Sequence, residues 1–309
     1  MAHDFVSTTE LLQLADGNIS DISVSELLED APLIAAMAAI SASNETSHEW
    51  LKKSAAPVVG YRSVNDGREN DHAEYTKVTQ ALALFDAGFD IDVALLKAAS
   101  GSNLMRREAV DHLQAAFASF EKQVIYGTGN DAAGFDGLSN EASLAAFDDS
   151  MVVDAGGTTA STGSSVWMLR TGESATSLVY GAAGRIEVGE SYKTIRDGSS
   201  TGQYDVERTP ILFWAGVQVA TSLDAARIIN LTEDSGKGLT DDILGDALSL
   251  FPAGRQPNVV AMNRRSLKQL QQSRVATNGT GAPAPRPTSY EGMPIVVTDQ
   301  IDSTEAISA

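Results

Sequence analysis

The amino-acid sequence predicts an α+β fold, with one long helix in the first half of the chain and mostly short strands after it. Residues 104–126 carry apolar side chains at three- and four-residue spacing, which is typical of a helix with one buried face. The stripe consists of Met105, Ala109, Leu113, Ala116, Phe117, Phe120 and Val124. In residues 165–220, by contrast, short apolar segments alternate with glycine turns, which indicates strands.

The composition excludes several classes of function. Cysteine is absent, so the chain has no disulfide framework, thiolate zinc site or cysteine nucleophile. A formal charge of −19 argues against a reader of nucleic-acid sequence, because phosphate binding requires clustered cations. The first residues lack the pattern of a signal peptide, and the longest apolar run, residues 33–40, is too short to span a bilayer. We therefore expect a soluble intracellular protein.

The sequence contains no convincing catalytic or metal-binding motif. The four histidines have no metal-ligand spacing, and the motifs GxSxG and HExxH are absent. The carboxylate-rich segments 66–71 and 88–92 lack the spacing of an EF-hand loop, and a solvated hairpin tip and an exposed strand face explain them better. We expect no catalytic residue, cofactor or metal site.

A glycine-rich loop follows the long helix. Gly129-x4-Gly134 matches the first half of a phosphate-binding P-loop, but Phe135 and Asp136 stand where lysine and serine or threonine are required. The loop also leaves a helix instead of entering one, so no helix N-terminus faces a bound anion. We interpret it as architecture. Its expected structural residues are a helix-ending glycine, turn glycines and an apolar anchor: Gly127, Gly129, Gly134, Phe135 and Gly137.

The N-terminal segment is acidic. Residues 1–49 contain nine acidic residues and no lysine or arginine. Two capping boxes, at Ser7 and Ser23, predict short helices, the second of which ends at Pro32. The segment is either an arm that docks on another surface or a solvated amphipathic face.

A long hairpin is predicted after this segment. Residues 56–64 and 73–84 read as two strands around a polar tip at 65–71, and residues 89–93 form a further half-exposed strand. Between residues 48 and 79 the chain is charge-balanced, with five basic and five acidic side chains. An isolated hairpin is only marginally stable in water, so we expect this one to lie on another surface.

The last third of the chain predicts alternating helices and strands. Residues 221–231 look helical, Thr240 caps a helix over 241–251, residues 257–263 form a strand, and Asn263 caps a helix over 264–274. A Pro/Gly-rich loop at 276–289, expected to be mobile, precedes a closing strand at 290–301. Residues 247–290 contain six basic residues and no acid, so this stretch can meet the acidic arm within one chain or between chains.

The order of these parts resembles the major capsid proteins of tailed bacteriophages, which have the Hong Kong 97-type coat fold. The resemblance spans nearly the whole chain and rests on the succession of several segments, each weak alone. They are EKQVIYG, GTGND and GFDGL around the glycine loop, VWMLRTG and SLVYG in the strand region, VVAMNRRSLKQLQQSR, and the closing EGMPIVVTDQI.

The resemblance implies a division of the chain into named parts. Residues 1–47 look like the N-terminal arm, 48–80 like the extended hairpin (E-loop), and 81–139 like the spine helix with part of the P-domain. Residues 140–290 look mainly like the A-domain with P-domain strands, and 291–309 like a C-terminal strand that returns to the core.

The resemblance also implies a function in assembly. Such proteins form hexamers and pentamers in an icosahedral shell around double-stranded DNA, without sequence-specific contact, and are assembled in the host cytoplasm. We expect a separate scaffolding protein, because the arm is shorter than the scaffold that some members carry. A portal protein, and in some members a decoration protein, would be further partners, and no membrane is involved. Some members crosslink lysine to asparagine, but no asparagine partner is identifiable for Lys52, Lys53 or Lys77.

Candidate assembly contacts follow from the charge pattern of the hairpin, the arm and the basic stretch. They are Lys52, Lys53, Arg62, Arg68, Glu69, Glu74 and Lys77 in the hairpin, Glu26, Glu29 and Asp30 in the arm, and Arg264 and Arg265 in the basic stretch. Three alternatives remain: a bacterial nanocompartment (encapsulin-like) shell, a soluble enzyme with an unrecognised site, and a secreted surface-layer protein.

Overall fold

The structure is a computed structural model that describes residues 28–69, 71–98, 101–139, 149–181, 187–197, 202–277 and 284–308. Within these ranges there are five α-helices, and none is both long and apolar enough to cross a membrane. The helices are α1 (Pro32–Ala36), α2 (Val93–Ala98), α3 (Gly101–Tyr126), α4 (Asp241–Ser249) and α5 (Arg264–Thr277). The strands in chain order are β1 (Ala38–Ser41), β2 (Ser47–Ala55), β3 (Glu74–Ala81), β4 (Ala83–Asp86), β5 (Phe89–Asp92), β6 (Val152–Asp154), β7 (Val166–Leu169), β8 (Thr176–Tyr180), β9 (Glu187–Val188), β10 (Tyr192–Asp197), β11 (Gln203–Thr209), β12 (Ile211–Val219), β13 (Ala225–Ile229), β14 (Val259–Met262), β15 (Ser289–Tyr290) and β16 (Met293–Val297).

The strands form three sheets and a separate hairpin. The first sheet has the order β1-β8-β12-β4, with β9 also paired to β12, and the second has the order β10-β11-β5. The third has six strands in the order β15-β16-β14-β7-β13-β6, and β2 pairs only with β3 in the hairpin. Parallel pairs such as β1 with β8 join strands that are distant in sequence, so the sheets mix local and long-range connections.

The apolar stripe of α3 faces the core as the sequence predicts, with Met105 and Ala109 half-buried and the rest of the stripe buried. Leu113, Phe120 and Val124 are at most 1% exposed and pack in a first core with α1 and the first sheet. The ring of Phe120 lies 5.7 Å from the rings of both Phe135 and Phe213, in edge-on geometry. Aromatic contacts of this kind contribute about 0.5–1.5 kcal/mol of stability beyond the burial of the rings. Phe120 therefore stabilises the packing of the helix against both the glycine loop and the first sheet.

The third sheet lies between this core and a second one. Successive residues of a strand point to opposite faces, and in β7 Trp167 and Leu169 join the first core while Val166 and Met168 join the second. Helices α4 and α5 cover the second face, where Leu244 and Leu270 are fully buried. Because both of its faces are covered, β7 is apolar throughout and shows no alternation in the sequence.

The two helix caps predicted in the last third are confirmed. The Thr240 hydroxyl accepts a hydrogen bond from the N–H of Ile243 at 3.3 Å, at the start of α4. The side-chain oxygen of Asn263 accepts one from the N–H of Ser266 at 2.8 Å, at the start of α5. Each side chain satisfies a backbone donor that has no partner within the helix.

The C-terminal segment 298–308 connects α3 to the third sheet. Lys122 on α3 pairs with Asp302 at 3.1 Å, and the Tyr126 hydroxyl donates to Glu305 at 2.6 Å. The other oxygen of Glu305 is 3.3 Å from the guanidinium of Arg227 on β13. Burial and the negative charge of Glu305 raise the pKa of Tyr126 above its usual range, so this hydroxyl remains a donor.

The prediction of a helix over 221–231 is wrong. A single 3₁₀ turn, Ser222–Asp224, is followed by β13, which pairs antiparallel with β7 and parallel with β6. The buried Asp224 caps the short turn through Thr221 and pairs with Arg170 at 2.9 Å. Pairing on both sides then holds the chain extended, so tertiary contacts override the local helical pattern.

The second predicted helix, which ends at Pro32, begins outside the described residues; residues 28–30 form a turn, and Pro32 is the first residue of α1, a short helix that the sequence did not predict. Proline is favoured there, since the first N–H of a helix has no partner within the helix. The capping boxes at Ser7 and Ser23 lie outside the described residues, as do 278–283 of the predicted mobile loop. Strand β11 had no counterpart in the sequence prediction.

Candidate assembly interface

The hairpin exists, and its second strand lies within the predicted range 73–84, but its first strand is displaced from the prediction. Strand β2 covers Ser47–Ala55 and pairs with β3, whereas residues 56–69 and 71–73 have no strand. Lys52, Lys53 and Glu74 lie on the paired strands. On one face of the hairpin, Lys77 pairs with Glu49 at 2.6 Å, and this contact holds the pKa of Glu49 below its ordinary value. The apolar residues predicted to form the first strand therefore belong to the tip.

The polar groups of the tip loop bond to one another. Arg68 donates to the carbonyl of Val58, whose N–H donates to the Asp71 carboxylate at 2.6 Å. Arg62 donates to the carbonyl of Asp66 at 3.0 Å. Glu69 is exposed in the same loop. These charged side chains therefore stabilise the conformation of the loop through bonds to its own backbone.

The tip exposes apolar side chains to solvent. Tyr61 and Val64 are 107% and 90% exposed, and Val58 and Val59 are more than 70% exposed. On the strands below them, Leu51 and Tyr75 are more than 60% exposed. A contiguous patch of exposed apolar side chains usually indicates an interaction surface. We call residues 58–64 the apolar tip.

The base of the hairpin is fixed to the body. His48 accepts a hydrogen bond from the N–H of Ser43 at Nδ1, at 3.1 Å, so its Nε2–H donates to the Gln218 side chain at 2.6 Å. Gln80 donates to the carbonyl of Asp136 in the glycine loop at 3.3 Å. The hairpin therefore projects from a fixed base that is in contact with both β12 and the glycine loop.

In the glycine loop the structure agrees with the expectation for Gly127 and Phe135, but not with that for Gly129. Gly127 has φ +53°, the left-handed conformation of a residue that ends a helix, and Phe135 and Leu138 return to the first core. A Cβ on Gly137 would lie 2.4 Å from the Gly127 nitrogen. A Cβ on Gly129 would have its nearest neighbour at 4.0 Å, so the turn does not require glycine there.

The basic stretch is largely engaged within its own chain. Arg265 donates to the carbonyls of Thr162, Leu231 and Ser303, at 2.7, 2.9 and 3.0 Å. Arg264 is exposed and pairs with Asp299 at 2.6 Å. Arg255 and Arg274 also bond within the chain, to Thr221 and Asp241. Of the arm candidates, Glu29 and Asp30 are exposed, and Glu26 lies outside the described residues.

Sequence reasoning missed three groups that organise this structure. The sequence pattern predicts a strand where the structure has the apolar tip, and it gives no signal for the buried Glu121 or the bridging Glu305. Among the described residues no cluster of histidine, aspartate or glutamate is arranged to hold a metal ion. Among the described residues, the most exposed large apolar side chains are those of the apolar tip, which stands on a fixed base.

The comparison with protein families decides the identity. The sequence model of the GP7 major capsid protein family matches residues 15–308, which is nearly the whole chain. The chain belongs to this family.

One solved structure shares the fold over the whole chain. A chain in the structure of bacteriophage epsilon15 is 16% identical to this chain, with a TM-score of 0.67 over 100% of this chain and 99% of that chain. That likeness confirms the Hong Kong 97-type coat fold. The capsid of bacteriophage JBD30 decorated with minor capsid protein trimers is 12% identical, with a TM-score of 0.48 over 96% of this chain and 99% of that chain. The encapsulin of Synechococcus elongatus is 9% identical, with a TM-score of 0.47 over 72% and 95%. No curated protein sequence matches the chain.

The family establishes the general function. The capsid protein is a structural component of a tailed-phage shell, it self-assembles, and its location is the virion capsid. The prediction that it is not an enzyme is confirmed by its membership of a structural family. The match also favours a phage capsid over the nanocompartment, enzyme and surface-layer alternatives. The division into arm, hairpin, P-domain and A-domain stays a prediction.

Proposed function

We propose that the chain forms an icosahedral shell of hexamers and pentamers around double-stranded DNA, with the hairpin of each copy lying on a neighbouring copy. A separate scaffolding protein directs assembly in the host cytoplasm, and a portal protein occupies one vertex. The charge of −19 suits a container that holds DNA without binding its sequence. A decoration protein is a further possible partner of the outer surface.

The apolar tip is the observation that carries this proposal. Arg62, Arg68 and Asp71 bond to backbone groups within the loop, whereas the side chains of Tyr61 and the three valines extend into solvent. Aromatic side chains that enter a partner's surface often supply most of the binding energy of an interface. We assign that function to Tyr61, with Val58, Val59 and Val64 around it.

The hairpin charges have a complementary function in the proposal. Lys52, Lys53, Glu69 and Glu74 lie on or beside the paired strands and are proposed to set the register between copies. Arg62 and Arg68 have an indirect function, because their bonds to loop carbonyls stabilise the conformation of the tip. Charged groups at the rim of an interface affect specificity and rate more than affinity.

The test is to make the tip polar. In the double variant Tyr61→Ser with Val64→Ser, we expect the yield of shells to fall at least tenfold, since loss of one aromatic anchor costs about 2 kcal/mol or more per contact. The variant is produced with its scaffolding protein, and shells are counted by electron microscopy and sedimentation. Both side chains are almost fully exposed, so the thermal unfolding of the unassembled chain should not change.

The control is His72→Ala, an exposed polar position in the same loop, which should assemble normally. Shells at the wild-type yield from the double variant would refute the function of the tip. A lower melting temperature of the unassembled chain would show that the tip stabilises the chain instead.

The acidic arm supplies a second proposed contact, with a basic segment of a neighbour or of the scaffolding protein. The variant Glu26→Lys, Glu29→Lys, Asp30→Lys should assemble poorly, and the defect should lessen as salt is raised, because exposed charges are screened. Light scattering during assembly measures this. Normal assembly at low salt would exclude the contact.

A further inference from the structure

Three distant segments of the chain meet at one buried carboxylate. Glu121, in the last third of α3, is 0% exposed. One of its oxygens accepts the N–H groups of Leu33 and Ile34, at 2.8 and 3.2 Å. The other accepts the hydroxyl of Thr298. Glu121 therefore binds the start of α1 to the long helix and to the C-terminal segment.

In the part of the chain that the structure describes, no cation pairs with this carboxylate. The charged side chains on the packed segments are engaged elsewhere or exposed: Lys122 pairs with Asp302, Asp299 pairs with Arg264, and Asp30 is exposed. The donors to Glu121 are two backbone N–H groups and one hydroxyl, all neutral. Burial raises the pKa of Glu121 to about 7, although the bonds from Thr298, Ile34 and Leu33 act in the opposite direction.

The segment that Glu121 holds is only a few residues long. Ala31, Leu33, Ile34 and Met37 form a short buried stretch between the acidic arm and β1. If this stretch lifts from α3, water reaches the carboxylate, whereas the packing of α3 on the first sheet stays in place. Local openings of this kind have their own free energy, below that of global unfolding.

We propose that Glu121 is a pH-sensitive latch: its loss of a proton weakens the docking of residues 31–37 on α3. The latch is a property of the single subunit, independent of the assembly contacts proposed above.

The direction follows from linkage. The docked carboxyl group has a pKa of about 7, above its ordinary value of 4.5, so the docked state binds the proton more tightly than the open state does. Docking is therefore strongest below about pH 4.5 and weakens as the pH rises through about 7. Three hydrogen-bond donors alone would suggest the reverse, but the cost of burying the charge exceeds their effect.

Hydrogen exchange of the full, unassembled chain tests the latch. Exchange of residues 31–37 is measured at pH 5.5 and 8.5 and corrected for the intrinsic rate at each pH. Between these values we expect the opening constant to rise roughly 30-fold, as linkage requires for these two pKa values. In Glu121→Gln, which has no proton to lose there, the opening constant should not depend on pH.

Two further variants separate titration from simple structural damage. Thr298→Val removes a bond that lowers the pKa of Glu121, so the pH midpoint should move upward, whereas Thr298→Ser should keep it. Glu108→Gln, elsewhere on α3, is the matched control and should behave like the wild type.

The proposal is overturned if the opening constant of residues 31–37 has the same pH dependence in Glu121→Gln and the wild type. It is also overturned if exchange changes equally in α4 and α5, which would indicate global unfolding. Neither outcome bears on the apolar tip, because no assembly is required.

Discussion

Replacing Gly137 with alanine is expected to destabilise the chain by about 3 kcal/mol, the upper range for overpacking in a rigid site. The new Cβ would lie 2.4 Å from the Gly127 nitrogen, 2.5 Å from the Gln123 carbonyl oxygen and 2.7 Å from that of Val124. All three are backbone atoms in or next to the last turns of α3, so no side chain can rotate away. Urea unfolding followed by circular dichroism measures the loss.

Gly129→Ala is the matched control, eight residues earlier in the same loop. Its Cβ has no neighbour closer than 4.0 Å, and its backbone is not left-handed. We expect a change within about 0.5 kcal/mol, with a small gain if the alanine restricts the unfolded chain. Equal stability of the two variants would show that the loop moves to accept the methyl group and is not the rigid corner that we describe.

The second large effect is expected at Arg265. In Arg265→Ala, the carbonyls of Thr162, Leu231 and Ser303 lose their shared donor, and partly buried acceptors left without partners should cost about 2–4 kcal/mol in total. Arg265→Lys should recover only part of this, because an ammonium group does not have the planar, multiple donors of a guanidinium. Thermal and urea unfolding of the unassembled chain give both values.

Arg264→Ala is the neighbouring control. Its side chain is 77% exposed and pairs with Asp299, which is 58% exposed. Exposed pairs contribute less than about 1 kcal/mol, so stability should hardly change. If this variant nevertheless assembles poorly, Arg264 is the better candidate for a contact between copies. Similar stability losses in both variants would contradict our distinction between the two arginines.

Local signals account for what the sequence predicted correctly. The stripe of α3, the caps at Thr240 and Asn263 and the left-handed Gly127 depend on residues within four positions of one another. The wrong predictions concern segments whose state is set by distant strands. Residues 225–229 are extended because β6 and β7 pair with them, and the hairpin register follows from the pairing of β2 with β3.

The candidate site was predicted less completely for the same reason. The charged residues of the hairpin can be found from composition, but whether they face a neighbour or one another depends on the shape of the loop. The partners of Glu121 lie 87, 88 and 177 residues away in the chain, and those of Arg265 lie 34, 38 and 103 residues away. A local sequence pattern cannot predict contacts between residues so far apart in the chain.

The C-terminal segment has a consequence for the timing of folding during synthesis. Lys122, Tyr126 and Glu121 on α3 find partners at Asp302, Glu305 and Thr298, and Ser308 bonds with Asn230 through both its N–H and its carbonyl. A nascent chain therefore carries α3 for most of its translation without the residues that complete it. These contacts therefore cannot form until residue 308 has left the ribosome.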